Sequence, residues 1–340
     1  MTQQKQSGGS GSTNIQVASV HVGLGYEDVR AIARDVFEQN FATLAQQAED
    51  VASKRAETIR DEIVDRLTAK GAGADSFSHV EKQVALLDAQ RGYALSGDDE
   101  LKQVLVDAVV GLSAETERSL KSIVLQESIK AVSSLTPEQL RLLAAIFVVK
   151  HVSFGNVSSL TSLFKEFDKH VDFSVGGLIA SAGALRHLEY VGCGKTSLSS
   201  ASLHSIVSLN YQGLISRGHS EEELSSAFAP ESFPPGGVMR CLRDPARVQI
   251  AALNNRVLDE KSHGWSPHQK EIARQKLAEN LIDEAAFEIE VRAISPEAEY
   301  LFEVWTSQNL NAFELTSVGI AIGHTYATAR GFIADLSIWL

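Results

Sequence analysis

The residues best suited to chemistry lie close together in "HLEYVGCGKTSL", residues 187–198. His187, Glu189 and Cys193 are there, and His204, His219 and Cys241 follow further along. A cysteine between two glycines can act as a nucleophile when a histidine takes its proton and a carboxylate orients the ring. Cys193, His187 and Glu189 are therefore the candidates for a Cys-dependent hydrolase. Two thiols and two imidazoles also make a tetrahedral zinc set, so His187, Cys193, His219 and Cys241 are the candidate metal ligands. Neither cysteine has a partner at the short spacing of a zinc motif, and no stretch of the sequence calls for a cofactor. The alternative is that both cysteines are small buried apolar residues.

The same stretch ends in "GCGKT", which looks like the close of a phosphate-binding loop. The opening glycine of that motif falls at position 189, where the chain has Glu189. A carboxylate there repels phosphate, and the flanking segments do not read as a buried strand and a helix start. A glycine-rich turn is expected instead. A third cluster, "RCLRDPAR", brings Arg240, Arg243 and Arg247 near one another. Such a set can bind a phosphate or a carboxylate. In an acidic chain it more often pairs with the protein's own acids. No complete catalytic constellation is legible, and the expected reading is non-enzymatic.

The elements that must position these residues are mainly helical. Residues 1–13 are rich in Gln, Ser and Gly and read as a flexible tail. "NIQVASVHV", residues 14–22, changes character, and the segment 14–25 reads as an isolated strand carrying Ile15, Val17, Val20 and Val22. A lone strand cannot satisfy its own backbone, so assembly through pairing is expected here. From Tyr26 to Lys70 there is no proline and no glycine, and apolar residues recur in steps of three and four. One helix of about 66 Å is predicted. Phe37, Phe41 and Leu44 belong to its apolar face, and a helix this long needs other helices or a coiled coil between subunits.

Further helices are predicted over 77–133, with Ser113 as the N-cap of the last. Thr136-Pro137-Glu138-Gln139 is a clear helix start, with a capping box and proline in the first turn. Ser220–Glu223, Ser266–Gln269 and Ser295–Glu297 signal later starts. In the last 28 residues, Gly319, Gly323, Ala327 and Gly331 recur at every fourth position. This stripe favours close intramolecular packing over a subunit contact. The expected organisation is a helical bundle with a long first helix over 26–152, then a mixed α/β domain over 153–340.

Bulk properties narrow the function. Net charge is −12, from 31 Lys and Arg against 43 Asp and Glu, which counts against nucleic-acid binding. Two cysteines in 340 residues imply no disulfide framework and suit a reducing, cytoplasmic compartment. The start of the chain shows no apolar signal core, and the longest apolar run, "LLAAIFVV", is too short to span a bilayer.

Two resemblances enter on particular residues. "YQGLISRG" followed by "FELTSVGIAIG" is similar to the end of a winged-helix domain, in which such segments flank the wing. That resemblance implies a winged-helix-like C-terminal domain with a long insertion, and with it a DNA-binding regulator as one reading. "NIQ" before "GLGYEDVRAIARDVFEQNF", then "HLEYVGCG", "QIAALNNRVL" and "FELTSVGIAIG", resembles an uncharacterised bacterial protein family. It implies a setting in phage defence and carries no activity. The expectation is a self-assembling cytosolic homo-oligomer that binds a protein partner.

Overall fold

The computed structural model describes residues 26–71, 77–174, 178, 180–307 and 309–340. The expected tail over 1–13 and the strand with Ile15, Val17, Val20 and Val22 lie outside the described residues. The protein is mainly α, with 67% helix and 5% strand among the described residues. In chain order the helices are α1 (Tyr26–Ala69), α2 (Val80–Ser96), α3 (Asp99–Ser113), α4 (Leu120–Val132), α5 (Pro137–His151), α6 (Leu160–Val171) and α7 (Ala182–Tyr190). The strand β1 (Gly194–Thr196) precedes α8 (Leu203–Asn210), α9 (Gln212–Ile215) and α10 (Glu221–Phe228). A hairpin, β2 (Val238–Arg240) and β3 (Val248–Ile250), leads to α11 (Asn255–Lys261), α12 (Pro267–Ala278), α13 (Glu284–Arg292) and α14 (Pro296–Ser307). The strand β4 (Phe313–Leu315) and α15 (Ser317–Thr328) follow. The chain forms two units, Met1–Ser53 and Lys54–Leu340.

Most helix starts follow from local chemistry. Thr136, Ser220 and Ser266 each close a capping box with Gln139, Glu223 and Gln269, as their spacing predicts. Ser113 does not open a helix; it is the last residue of α3. The start of α4 is capped instead by Ser119, whose hydroxyl accepts from the Ser122 amide while Ser122 answers with its own side chain. A serine replaces the usual Glu or Gln at that third position, which hid the signal.

In the second unit α5 is the hub. Leu140 and residues 142–149 are fully buried, which fits a helix that is apolar all round. Its packing against α15 depends on glycine. A Cβ added to Gly323 would lie 2.7 Å from the Leu143 carbonyl oxygen, and one on Gly319 only 1.9 Å from the Cys193 carbonyl oxygen. The small-residue stripe therefore serves backbone approach within the chain. It stops earlier than its period suggests. Gly331 takes a φ of +84° and the Phe332 amide donates to the Ala327 carbonyl, which ends α15 at Thr328. Ile333, beyond that stop, is 95% exposed.

One apolar cluster runs from Ile59 to Leu336 across position 152, and a smaller one gathers Phe228, Ile250, Ala252, Leu258, Ala273 and Leu277. The strands form two antiparallel pairs, β1 with β4 and β2 with β3. "FEL" thus pairs with "GKT" in register Gly194↔Leu315, whereas "YQGLISRG" contains α9.

In the first unit, the described part of α1 exposes its apolar residues. Phe37, Phe41 and Leu44 are 69%, 63% and 62% exposed. Within the second unit, Ile59, Ile63 and Leu67 of the same helix are buried in the core.

Candidate functional site

The Cys193 region is built by the end of α7 and the start of β1. Ser181 caps α7, and Gly192 closes it with a φ of +83° while the Cys193 amide donates to the Leu188 carbonyl. Thr316 then locks the turn from the other side. Its amide donates to Cys193 O at 3.1 Å and its hydroxyl to Gly192 O at 2.6 Å. The "VGCG" glycines are therefore turn and packing residues. Cys193 is fully buried, and burial pushes its thiol up to about 12. At neutral pH it is a protonated thiol with no solvent access, the opposite of an activated nucleophile.

Its supposed helpers are engaged elsewhere. Nδ1 of His187 lies 3.0 Å from the Gln139 side-chain amide, which also donates to Ala184 O. Glu189 accepts the Thr196 amide at 2.6 Å, and the Thr196 side chain, with that amide, holds its carboxyl below the usual range. This contact also closes the phosphate-loop question. The carboxylate at the position of the missing glycine takes an amide that a phosphate would use, and the motif enters a strand rather than a helix.

The second thiol sits in a different cluster of contacts. Cys241 is buried and its Sγ is 3.5 Å from Ser216 O. His219 uses both ring nitrogens, with Nε2 at 3.0 Å from Lys276 O and Nδ1 at 3.0 Å from the Asn280 amide. His204 bonds Ile282 O through Nε2 at 2.9 Å. Of the four candidate ligands, His187, His219 and Cys241 are engaged with other partners, and the Cys193 thiol is buried. Among the described residues no group of three or more His, Cys, Asp or Glu side chains is placed to hold a metal ion.

The arginine cluster frames the β2–β3 hairpin. Arg243 pairs with Glu290 of α13 and lines a cleft of about 450 Å³ with Ser159, the cap of α6, and Thr161 of α6. Arg247 lies 3.6 Å from Glu223, and its buried Nε has no hydrogen-bond partner. Arg240 reaches only Pro245 O, at 3.5 Å. The arginines are turned to different neighbours, and two of the three are neutralised by the protein's own acids.

Two constellations escaped the sequence reading. Glu100 of α3 grips Arg141 of α5 through two bonds of 3.0 Å. It also accepts the Tyr326 hydroxyl at 3.3 Å, and the Arg330 guanidinium lies 3.8 Å from the Tyr326 ring centroid. These residues are spread over 230 positions, so spacing could not join them. The other is aromatic. His151, His170 and His324 sit among Phe147, Phe154, Phe332 and Trp339, with His170 stacked flat on Phe154 at 5.6 Å. Burial lowers the pKa of all three imidazoles.

No helix among the described residues is long and apolar enough to cross a membrane. No curated protein and no solved structure matches the chain. A family model described only as ":-like" matches residues 23–340, and the chain belongs to that family.

Proposed function

We propose that this protein is a non-enzymatic, self-assembling component that binds a protein partner. One observation carries the reading. On the first part of α1, Phe37, Phe41, Leu44, Ala48 and Val51 follow one another in steps of four, three, four and three. At 3.6 residues per turn these fall on a single narrow face. The four large side chains among them are each about half exposed or more, and Phe37 and Phe41 already stack at 6.2 Å. A stripe of this size in water is a contact surface. A second copy supplies the same stripe, as a two-fold coiled coil requires. The chemistry around Cys193 supports this reading, because its thiol is shut away from solvent and held in the protonated form.

The proposed setting, anti-phage defence in the bacterial cytosol, rests on the sequence resemblance alone. The native mass of the full chain, beside a chain lacking residues 1–25, tests the assembly. A defined oligomer for the full chain supports it, and a smaller truncated form gives the 14–25 segment a share. A full chain that stays monomeric at every concentration sinks it.

A second reading, a DNA-binding regulator, has one observation in its favour. α7, the β1–β4 pair and α15 follow the helix, wing and helix order of a winged-helix domain, with residues 197–312 inserted in the wing. Arg186, Tyr190 and Lys195 are exposed there. The net charge of −12 opposes it. A gel shift whose affinity falls steeply with salt and is lost in Arg186→Ala/Lys195→Ala would favour this reading.

A further inference from the structure

A cavity of about 430 Å³ opens where the end of α5, α6 and residues 331–339 meet. That volume is in the range of small-molecule sites. Its walls are aromatic: Phe154, Phe332 and Trp339 line it. Two imidazoles line it as well, His151 and His170, and each carries a buried nitrogen with an unmet hydrogen bond. His151 Nε2 and His170 Nδ1 make no bond of normal geometry, although a backbone group of Arg330 lies near enough to His170 to favour its charged form. His170 as a whole is only 3% exposed. Buried polar atoms are nearly always bonded, so two orphans beside one cavity need a reason. The charged lining adds a third feature. Lys169 and Arg256 stand against one acid, Glu166. Glu166 lies 3.6 Å from Lys169, while Arg256 has only a loose pairing with Glu260 at 3.9 Å. The lining residues thus carry one more base than acid at the mouth, above an apolar, ring-lined floor, with Glu166 also 3.7 Å from His170 Nε2.

We propose that this cavity binds a small planar anion, an aromatic ring bearing a phosphate or carboxylate. The ring lies against Phe332 and Trp339, its polar edge meets the imidazoles, and its anionic group reaches Arg256 and Lys169. Flat rings pack well on aromatic walls. A guanidinium suits the planar oxygens of either anionic group. Both orphan nitrogens are buried, so a small rotation of the His170 ring accompanies entry. None of the residues lining the site belongs to α1.

The test is calorimetric titration of the full chain with 1-naphthyl phosphate, with inorganic phosphate and 1-naphthol as single-feature controls. Phe37→Ser/Phe41→Ser is the background, so that the exposed α1 face cannot adsorb the probe. We expect one saturable site for 1-naphthyl phosphate, and binding at least about tenfold weaker for either control. Arg256→Ala, an exposed position that leaves the fold intact, should weaken binding about tenfold, the scale of one charge-assisted contact. His170→Phe keeps the ring shape and removes the nitrogens, and should weaken it several-fold. Absence of saturable binding overturns the proposal. So does binding that neither substitution alters, which would place the probe elsewhere on the surface.

Discussion

Gly319 and Gly111 are both helical glycines, and they should respond to alanine in opposite ways. Alanine is favoured over glycine in a helix interior by about 1 kcal/mol. At Gly111 of α3 a new Cβ meets only the Leu125 side chain at 3.7 Å, an ordinary contact. Gly111→Ala should therefore stabilise by about 0.5–1 kcal/mol. At Gly319 the new Cβ would lie 1.9 Å from the Cys193 carbonyl oxygen, a backbone atom held by Thr316. The helix and the turn must then separate, and overpacking of that kind costs about 1–3 kcal/mol or more. The steric term wins, so Gly319→Ala should lower the urea midpoint with little change in slope. Cys193 belongs to the same contact. Cys193→Ser places a hydroxyl in a fully buried apolar site and should destabilise by about 1–3 kcal/mol. In the native protein this thiol should not react with a disulfide reagent until unfolding, and prompt reaction at neutral pH would revive the nucleophile.

α5, α6 and the segment after α15 meet at the three histidines, and their titration belongs to that packing. Desolvation lowers the pKa of His151, His170 and His324 from the ordinary value of 6.5. Lys169 adds to the shift at His170, while Glu314 and Asp335 partly oppose it at His151 and His324. The unfolded chain thus binds protons more readily than the folded one. The stability these neutral rings allow is fully present above the unfolded pKa and is lost as pH falls from about 6.5 toward the lower folded values. The melting temperature should drop between about pH 6.5 and 5, above the range where carboxylates titrate. Substituting Phe at His170 should flatten part of that decline, and a flat profile in the parent would refute the reading. Nothing in the sequence pattern announces this junction. Helix α5 was legible because its cap and apolar run are local, as were the starts at Ser220 and Ser266. The position of "FEL" against "GKT", and of Trp339 against the His151 carbonyl at 2.8 Å, depends on contacts more than a hundred residues apart. The candidate site was misleading for a related reason. Cys193, His187 and Glu189 are neighbours in sequence, yet His187 is held by Gln139 of α5, Glu189 by Thr196 of β1, and the Cys193 turn by Thr316. Spacing reports adjacency along the chain and not which way a side chain faces.

The whole molecule is where the α1 stripe must be judged. Ile59, Ile63 and Leu67 show what this helix does with apolar residues when a core is at hand: all three are at most 5% exposed. Phe37, Phe41 and Leu44 carry comparable or larger apolar surface and leave most of it in water. Burying a Phe or Leu side chain contributes about 1.5–3 kcal/mol, so three such residues on each of two copies contribute about 9–18 kcal/mol at full burial, against an association cost of about 4–15 kcal/mol. Phe37→Ser/Phe41→Ser/Leu44→Ser should then convert the oligomer to a monomer without lowering the stability of residues 54–340, whose core these positions do not enter. Melting of the parent should also rise with protein concentration, and melting of the variant should not. The two readouts separate the explanations. If mass falls and the concentration dependence disappears, the stripe holds the copies together. If the parent shows no concentration dependence and the variant keeps the same mass, the exposed face awaits a different partner and self-assembly through α1 is excluded.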